Sequence, residues 1–192
     1  MTARRALIGI GAVLVLGAIG WLIYTGVQRA RRPVAPVRAA AAPPAMAPAP
    51  PGRKIKARLF YVADDGVRLT SIERDIAYGD GAEEQAREII AAQIAPVVEP
   101  LLSAIPPGTA LRAVFLTEGG EAYVDLSREL MTAHPGGTLN ELLTVYTIVN
   151  ALTVNLPAVT TVQVLVDGKE VETLSGHIDL RVPLAKNLSW VQ

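Results

Sequence analysis

The chain contains no cysteine. This absence excludes disulfides, thiolate nucleophiles, zinc-thiolate sites and the lipid-accepting cysteine of a bacterial lipoprotein. It leaves the redox compartment open, because a cysteine-free chain suits either side of a membrane. Acidic residues are absent from positions 1–53, which hold Arg4, Arg5, Arg29, Arg31, Arg32, Arg38 and Arg53. The remaining 11 basic and all 18 acidic residues follow, so the rest of the chain carries a net charge of −7 beneath an overall formal charge of zero. A basic head on an acidic body argues against nucleic acid as the partner, since phosphate binding needs a basic face. No G-x-S-x-G elbow occurs, which removes one common setting for a serine nucleophile.

After a short tail of residues 1–5, Ala6 to Thr25 reads ALIGIGAVLVLGAIGWLIYT without a charge. Such a run is about 20 residues, or roughly 30 Å as a helix, the thickness of a bilayer's hydrocarbon core. Trp21 and Tyr24 lie at one end, where amphipathic rings favour the headgroup layer. The run exceeds a signal-peptide core, and GVQRARR after it offers no small-residue cleavage site. An uncleaved single-pass anchor is the expectation for residues 6–25. No two small residues lie four apart in it, so close helix pairing has no support. By arginine count the positive-inside rule leans slightly towards a cytoplasmic C-terminus, with Arg4 and Arg5 before the span and Arg29, Arg31, Arg32 and Arg38 after it.

Residues 26–53 read as a spacer, nearly all alanine and proline from Arg31 to Gly52. Such composition forms a semi-rigid polyproline-II segment with up to roughly 60–70 Å of reach. A ligand for an SH3-like groove is the alternative.

From residue 54 to residue 192 the pattern turns globular. KIKARLFYVA and VRLTSIERDI alternate as strands around the turn Asp64-Asp65-Gly66. GAEEQAREIIAAQIAP follows at helical spacing through Ala86, Ile89, Ile90, Ala92 or Gln93, and Ile94, stopped or broken by Pro96 and Pro100. A second hairpin, ALRAVFL and AYVDLS, turns at EGGE. TLNELLTVYTIVNALT then reads as an amphipathic helix with the stripe Leu139, Leu142, Leu143, Tyr146, Val149 and Leu152. Thr138 is its expected cap, with Glu141 three residues on. VQVLV, the turn Asp167-Gly168 and KEVETL form a third hairpin. The expected fold is two-layer α+β, hairpin-helix-hairpin-helix-hairpin, with two striped helices on a largely antiparallel sheet.

IPPGTALRAVFLTEGGEAYVDLSREL, ELLTVYTIVNALT and VQVLVDGKEVETLSGHIDL occur in series, with LFYVADDG before them. Together they resemble the GerMN domain of sporulation and spore-germination proteins, from about Leu59 to Leu184. The resemblance implies an α+β fold similar to the ring-building modules of secretion assemblies. It also implies a non-enzymatic assembly or binding role in the envelope, outside the cytoplasmic membrane. The family's namesake is a lipoprotein with tandem copies, whereas this chain has one copy and no cysteine. The expectation is a membrane-anchored envelope protein that binds another protein or its own copies, with the domain on the periplasmic side. The alternative is a module for peptidoglycan or another glycan.

One stretch tests the non-enzymatic reading. Ser175, His177 and Asp179 stand two apart, so in a strand they share a face at about 6.5–7 Å spacing, too far for a proton relay. A metal would use His177 and Asp179, with or without His134, but lacks further ligands. The structural alternative makes Ser175-Gly176 a bulge or corner, bonds His177 to backbone and lets Asp179 cap the final segment. Asp125 is expected to cap the downstream helical turn and Asn150 to bond a neighbouring strand from mid-helix. The Asp64-Asp65-Gly66 turn lacks the rest of a calcium loop. No catalytic, cofactor-binding or metal residue is therefore assigned, and no cofactor is expected.

Overall fold

The computed structural model describes residues 52–192. The expected anchor and nearly all of the spacer lie outside the described residues.

β1 (Lys54–Val62) and β2 (Leu69–Ala77) pair antiparallel in full register, from Lys54 opposite Ala77 to Val62 opposite Leu69. Ala57, Leu59 and Tyr61 turn inward while Lys54, Lys56 and Arg58 face water, the period-two pattern of the sequence. Phe60 is buried as well, so β1 is covered on both faces at this point. Asp65 shapes the connecting turn by accepting the Val67 and Arg68 amides at 2.9 and 3.1 Å and the Arg68 side chain at 2.8 Å.

α1 (Ala82–Ile94) buries Ala86, Ile89, Ile90 and Gln93 of its expected stripe together with Gln85, while Ala92 and Ile94 are only partly buried. Glu83 and Glu84 occupy its first turn, where the helix dipole favours negative charge. Gly79 lets the chain turn tightly into this helix, since a Cβ there would lie 2.3 Å from the Gln85 amide nitrogen.

β3 (Leu111–Leu116) and β4 (Glu121–Leu126) form the second hairpin, followed by the short α2 (Glu129–Thr132) and by α3 (Thr138–Asn155). β5 (Thr161–Val166) then runs parallel to β4, with Ala122 opposite Val162 and Leu126 opposite Val166. The short strands β6 (Lys169–Glu170) and β7 (Leu184–Ala185) pair antiparallel with opposite ends of β5.

The fold is mixed α+β, but the single antiparallel sheet of the sequence reading is corrected to two sheets. β1 and β2 stand apart from a five-stranded sheet ordered β3-β4-β5-β6, with β7 beside β5. The β4–β5 pairing is parallel because α3 lies between the two strands and carries the chain back to its starting end. The third hairpin is corrected too. KEVETL stays in the sheet for only two residues before its chain leaves for α3.

α3 is also more than an amphipathic surface helix. Leu143, Val145, Ile148, Val149, Ala151 and Leu152 are buried around most of its circumference, together with Glu141, Thr144, Thr147, Asn150 and Thr153. Leu139, Leu142 and Tyr146 of the expected stripe are only partly buried. Both α1 and α3 touch strands of both sheets and each other, so α3 is the centre of the core.

Candidate functional site

Glu141 is the one charged residue of α3, and it is fully buried. The expected capping box does not form: Gly137 precedes the helix and no side chain caps it. The Glu141 carboxylate instead faces the loop that leaves β6. Its Oε1 accepts the Leu174 amide at 2.7 Å. Its Oε2 accepts the Ser175 hydroxyl at 2.9 Å, the His177 amide at 2.9 Å and the His177 ring Nδ1 at 3.1 Å. Burial pushes this carboxyl up, but the donors from Ser175, Leu174 and His177 outweigh it and bring it down to about 2.

This geometry decides the role of the 175–179 stretch. It is an irregular loop rather than a strand. Ser175 and His177 both donate to the same carboxylate, whereas a nucleophile must donate to the base that activates it. Asp179 takes no part: its carboxylate accepts the Arg181 amide at 3.0 Å and the Arg181 guanidinium at 2.9 and 2.8 Å. The guanidinium bonds hold it down to about 2. Ser175, His177 and Asp179 thus form no relay. The backbone bond foreseen for His177 runs instead through its own amide and ring to Glu141, and Asp179 turns the following segment as expected. A polar cleft of about 220 Å³, lined by Glu172, Thr173, Gly176, His177, Asp179 and Arg181, lies over this loop.

His134 does not join it. Its Nδ1 accepts the Gly136 amide at 2.9 Å, so Nε2 carries the proton and meets the Thr144 hydroxyl at 3.2 Å, which donates onward to the Ala104 carbonyl at 2.7 Å. Burial pushes the His134 imidazole below its ordinary range, against the opposing charge of Glu141. Both of its nitrogens are engaged, and among the described residues no group of three or more His, Cys, Asp or Glu is placed to hold a metal ion.

Asp125 is corrected from a helix cap to a bolt between strands. One oxygen accepts the Gly168 amide at 2.7 Å in the β5–β6 turn, and the other accepts Arg112 at 3.0 Å. Parallel pairing sets Asp125 beside Leu165, which brings that turn within reach. Asn150 is the buried amide foreseen, but its partner is the segment after β7. It donates to the Asn187 carbonyl at 2.8 Å and accepts the Asn187 amide at 3.0 Å.

Two further amides, Asn155 and Gln93, neither assigned a polar role from the sequence, seal the outer edge of β1. Asn155 brackets Arg58 with two bonds of 2.8 Å, and Gln93 brackets Phe60 with bonds of 2.8 and 2.7 Å. The Val62 amide completes the seal by donating to the Leu102 carbonyl at 2.8 Å. The signal for Gln93 was its place on the apolar stripe of α1, where a buried amide must find partners.

Apolar side chains gather in water at the turn end of β1 and β2. The loop after α1 meets Val62 through Leu102, and the C-terminal segment meets Leu69 through Trp190. Val67, Leu102 and Trp190 are exposed there, and Val98, in the loop that leads to Leu102, is exposed to 83%. Elsewhere, exposed Phe115 lies beside Tyr123 on the face of the larger sheet turned away from Val114 and Val124.

The family model for Germane, described as sporulation and spore germination, matches residues 58–172, more than half of the chain. The chain belongs to this family. The Germane segment begins within β1 and ends just after β6, so it contains the Glu141 helix but stops before Ser175 and His177. Among solved structures, the tandem GerMN domains of the sporulation protein GerM from Bacillus subtilis align at 15% identity and a TM-score of 0.50, over 69% of this chain and 46% of that one. The first GerMN domain of the same protein aligns at 17% identity and a TM-score of 0.46, over 69% of this chain and 96% of that one. A candidate lipoprotein from Clostridium perfringens aligns at 24% identity and a TM-score of 0.49, over 69% and 88%. The tandem-domain likeness shows a shared fold. No curated protein matches the chain. Germane is a sporulation and germination family rather than an enzyme family.

Proposed function

We propose that this Germane-family protein is a non-enzymatic, single-pass envelope protein whose domain assembles with another protein outside the cytoplasmic membrane. The observation that carries the reading is the exposed apolar end at Val67, Val98, Leu102 and Trp190. Large apolar side chains left in water on segments that converge at one end of the β1–β2 hairpin support an interaction site there. The charge-free run from Ala6 to Thr25 supports the anchor, and the family supports a role in sporulation, germination or a related envelope complex. The Glu141 loop gives Ser175 and His177 a structural occupation, which favours binding over catalysis.

Two measurements test this. A reporter active only outside the cytoplasm, fused after Gln192, gives activity if the domain is extracytoplasmic; activity of a cytoplasmic reporter instead removes the envelope role. Val98→Asp with Leu102→Asp abolishes the native complex of the full chain, seen by crosslinking in cells, while circular dichroism stays unchanged. An undiminished complex overturns the assembly reading at this surface. Glycan binding is the second reading, favoured by exposed Phe115 beside the half-buried Tyr123, and retention on purified cell wall lost in Phe115→Ala supports it.

A further inference from the structure

The edges of the β1–β2 sheet are treated unequally. On β1, Arg58, Phe60 and Val62 direct their outer backbone groups into Asn155, Gln93 and Leu102. On β2, the outward positions are fixed by Leu69, whose amide donates to the Trp190 carbonyl at 2.7 Å and whose carbonyl accepts the Gln192 amide at 2.9 Å. A period of two then directs the backbone groups of Ser71, Glu73 and Asp75 outward as well. At the far end, the Ala77 carbonyl is taken by the Gln85 side chain at 3.3 Å. Between these two clips, no partner for the outward groups of Ser71, Glu73 and Asp75 is found among the described residues.

The edge already accepts a strand at its first position. Leu69 pairs with Val191 in a parallel bridge, so the C-terminal segment lies along β2 for one rung. Charge selects the strand for the remaining rungs. Asp75 lies opposite Lys56 and Glu73 opposite Arg58, with Lys56 and Asp75 3.6 Å apart. The same face therefore runs from positive on β1 to negative on β2, and a third strand continues the pattern with positive side chains. Pairing β2 with its own copy, centred on Glu73, sets Glu73 against Glu73, a device that deters self-association without closing the edge to a cationic strand.

We propose that the open edge of β2 receives an extended segment of a partner protein, carrying cationic side chains at alternate positions and pairing at Ser71, Glu73 and Asp75. This rests on the protein-binding reading above and names the chemistry of its partner.

The test uses the full chain and a synthetic heptapeptide alternating lysine with valine, with a glutamate–valine peptide as control. Hydrogen exchange is read over residues 69–77. The lysine peptide slows the amides of Ser71, Glu73 and Asp75 on the order of tenfold, and the control peptide leaves them unchanged. Glu73→Pro removes one outward N–H while sparing the Ile72 and Arg74 groups that hold β1, so the fold persists and protection is lost. Glu73→Lys with Asp75→Lys reverses the preference towards the glutamate peptide. Absent protection, equal protection by both peptides, or protection that survives Glu73→Pro overturns the proposal. So does concentration-dependent protection of 71–75 together with 111–116 without peptide, which assigns the edge to β3 of a second copy. The Val98 and Leu102 substitutions leave this edge intact. A complex lost in those variants, with no peptide protection in the parent chain, therefore refutes the edge and keeps the assembly reading.

Discussion

Glu141 shows how one buried charge organises a loop. Its two oxygens take four bonds from Leu174, Ser175 and His177, which hold that loop to α3. Glu141→Ala leaves the buried Leu174 amide without an acceptor and frees Ser175 and His177, and is expected to cost roughly 3 kcal/mol of stability, measured as a shift in the urea midpoint. His177→Ala removes one of the four bonds and costs about 1 kcal/mol. It leaves the fold and any native complex in place; a complex lost in that variant would give the cleft over the loop a binding role. The acid response has a definite sign. In the unfolded chain Glu141 titrates near its ordinary value of 4.5, and in the fold at about 2. The unfolded chain takes up a proton that the fold refuses, so the stabilisation is full above about pH 5 and is lost as pH falls through 4.5 towards 2. Urea unfolding across a series of buffers from neutral to strongly acidic should show this decline, and Glu141→Gln should flatten it.

At the scale of elements, the edge of β1 depends on amides borrowed from the helices. Gln93 comes from the last turn of α1 and Asn155 from the end of α3, so the two helices close the strand they also pack against. Gln93→Leu keeps the volume, leaves the Phe60 amide and carbonyl buried and unpaired, and is expected to destabilise by about 2 kcal/mol. Gly120 plays a comparable part between strands. A Cβ there would lie 2.7 Å from the Ala158 carbonyl, and its own carbonyl accepts the Thr160 amide at 2.8 Å where β5 begins. Gly120→Val should therefore disturb the β4–β5 junction. β1 to β5 and the two long helices were legible as types from their periodicity, and α1 kept most of its expected stripe, whereas the two-residue β7 has too little sequence to show a period.

At the scale of the molecule, residues 186–192 act as a strap. Asn187 exchanges two bonds with Asn150 in the middle of α3, and Trp190 and Gln192 bracket Leu69 at the start of β2. Nothing in the composition of this segment announces such a role, because it has no periodicity of its own and its partners lie far back in the chain. Asn150→Ala is expected to cost about 2 kcal/mol, since the Asn187 groups lose their buried partner. Hydrogen exchange should then rise over residues 69 and 187–192 together, as one unit.

The sequence by itself determined the first two hairpins, the two long helices, the α+β class and the resemblance that the Germane match bears out, because local turn chemistry and hydrophobic period are written in neighbouring residues. It also made a catalytic Ser175, His177 and Asp179 implausible on spacing alone. Only the tertiary structure decided which partners the polar residues take. Glu141 reads as a capping residue until residues 174–177 arrive from the far side of β5. Asp125 reads as a cap until parallel pairing sets the Asp167-Gly168 turn beside it. The division of the strands into two sheets obeys the same logic, since pairing across α3 depends on contacts between segments far apart in the chain, and no local pattern encodes those.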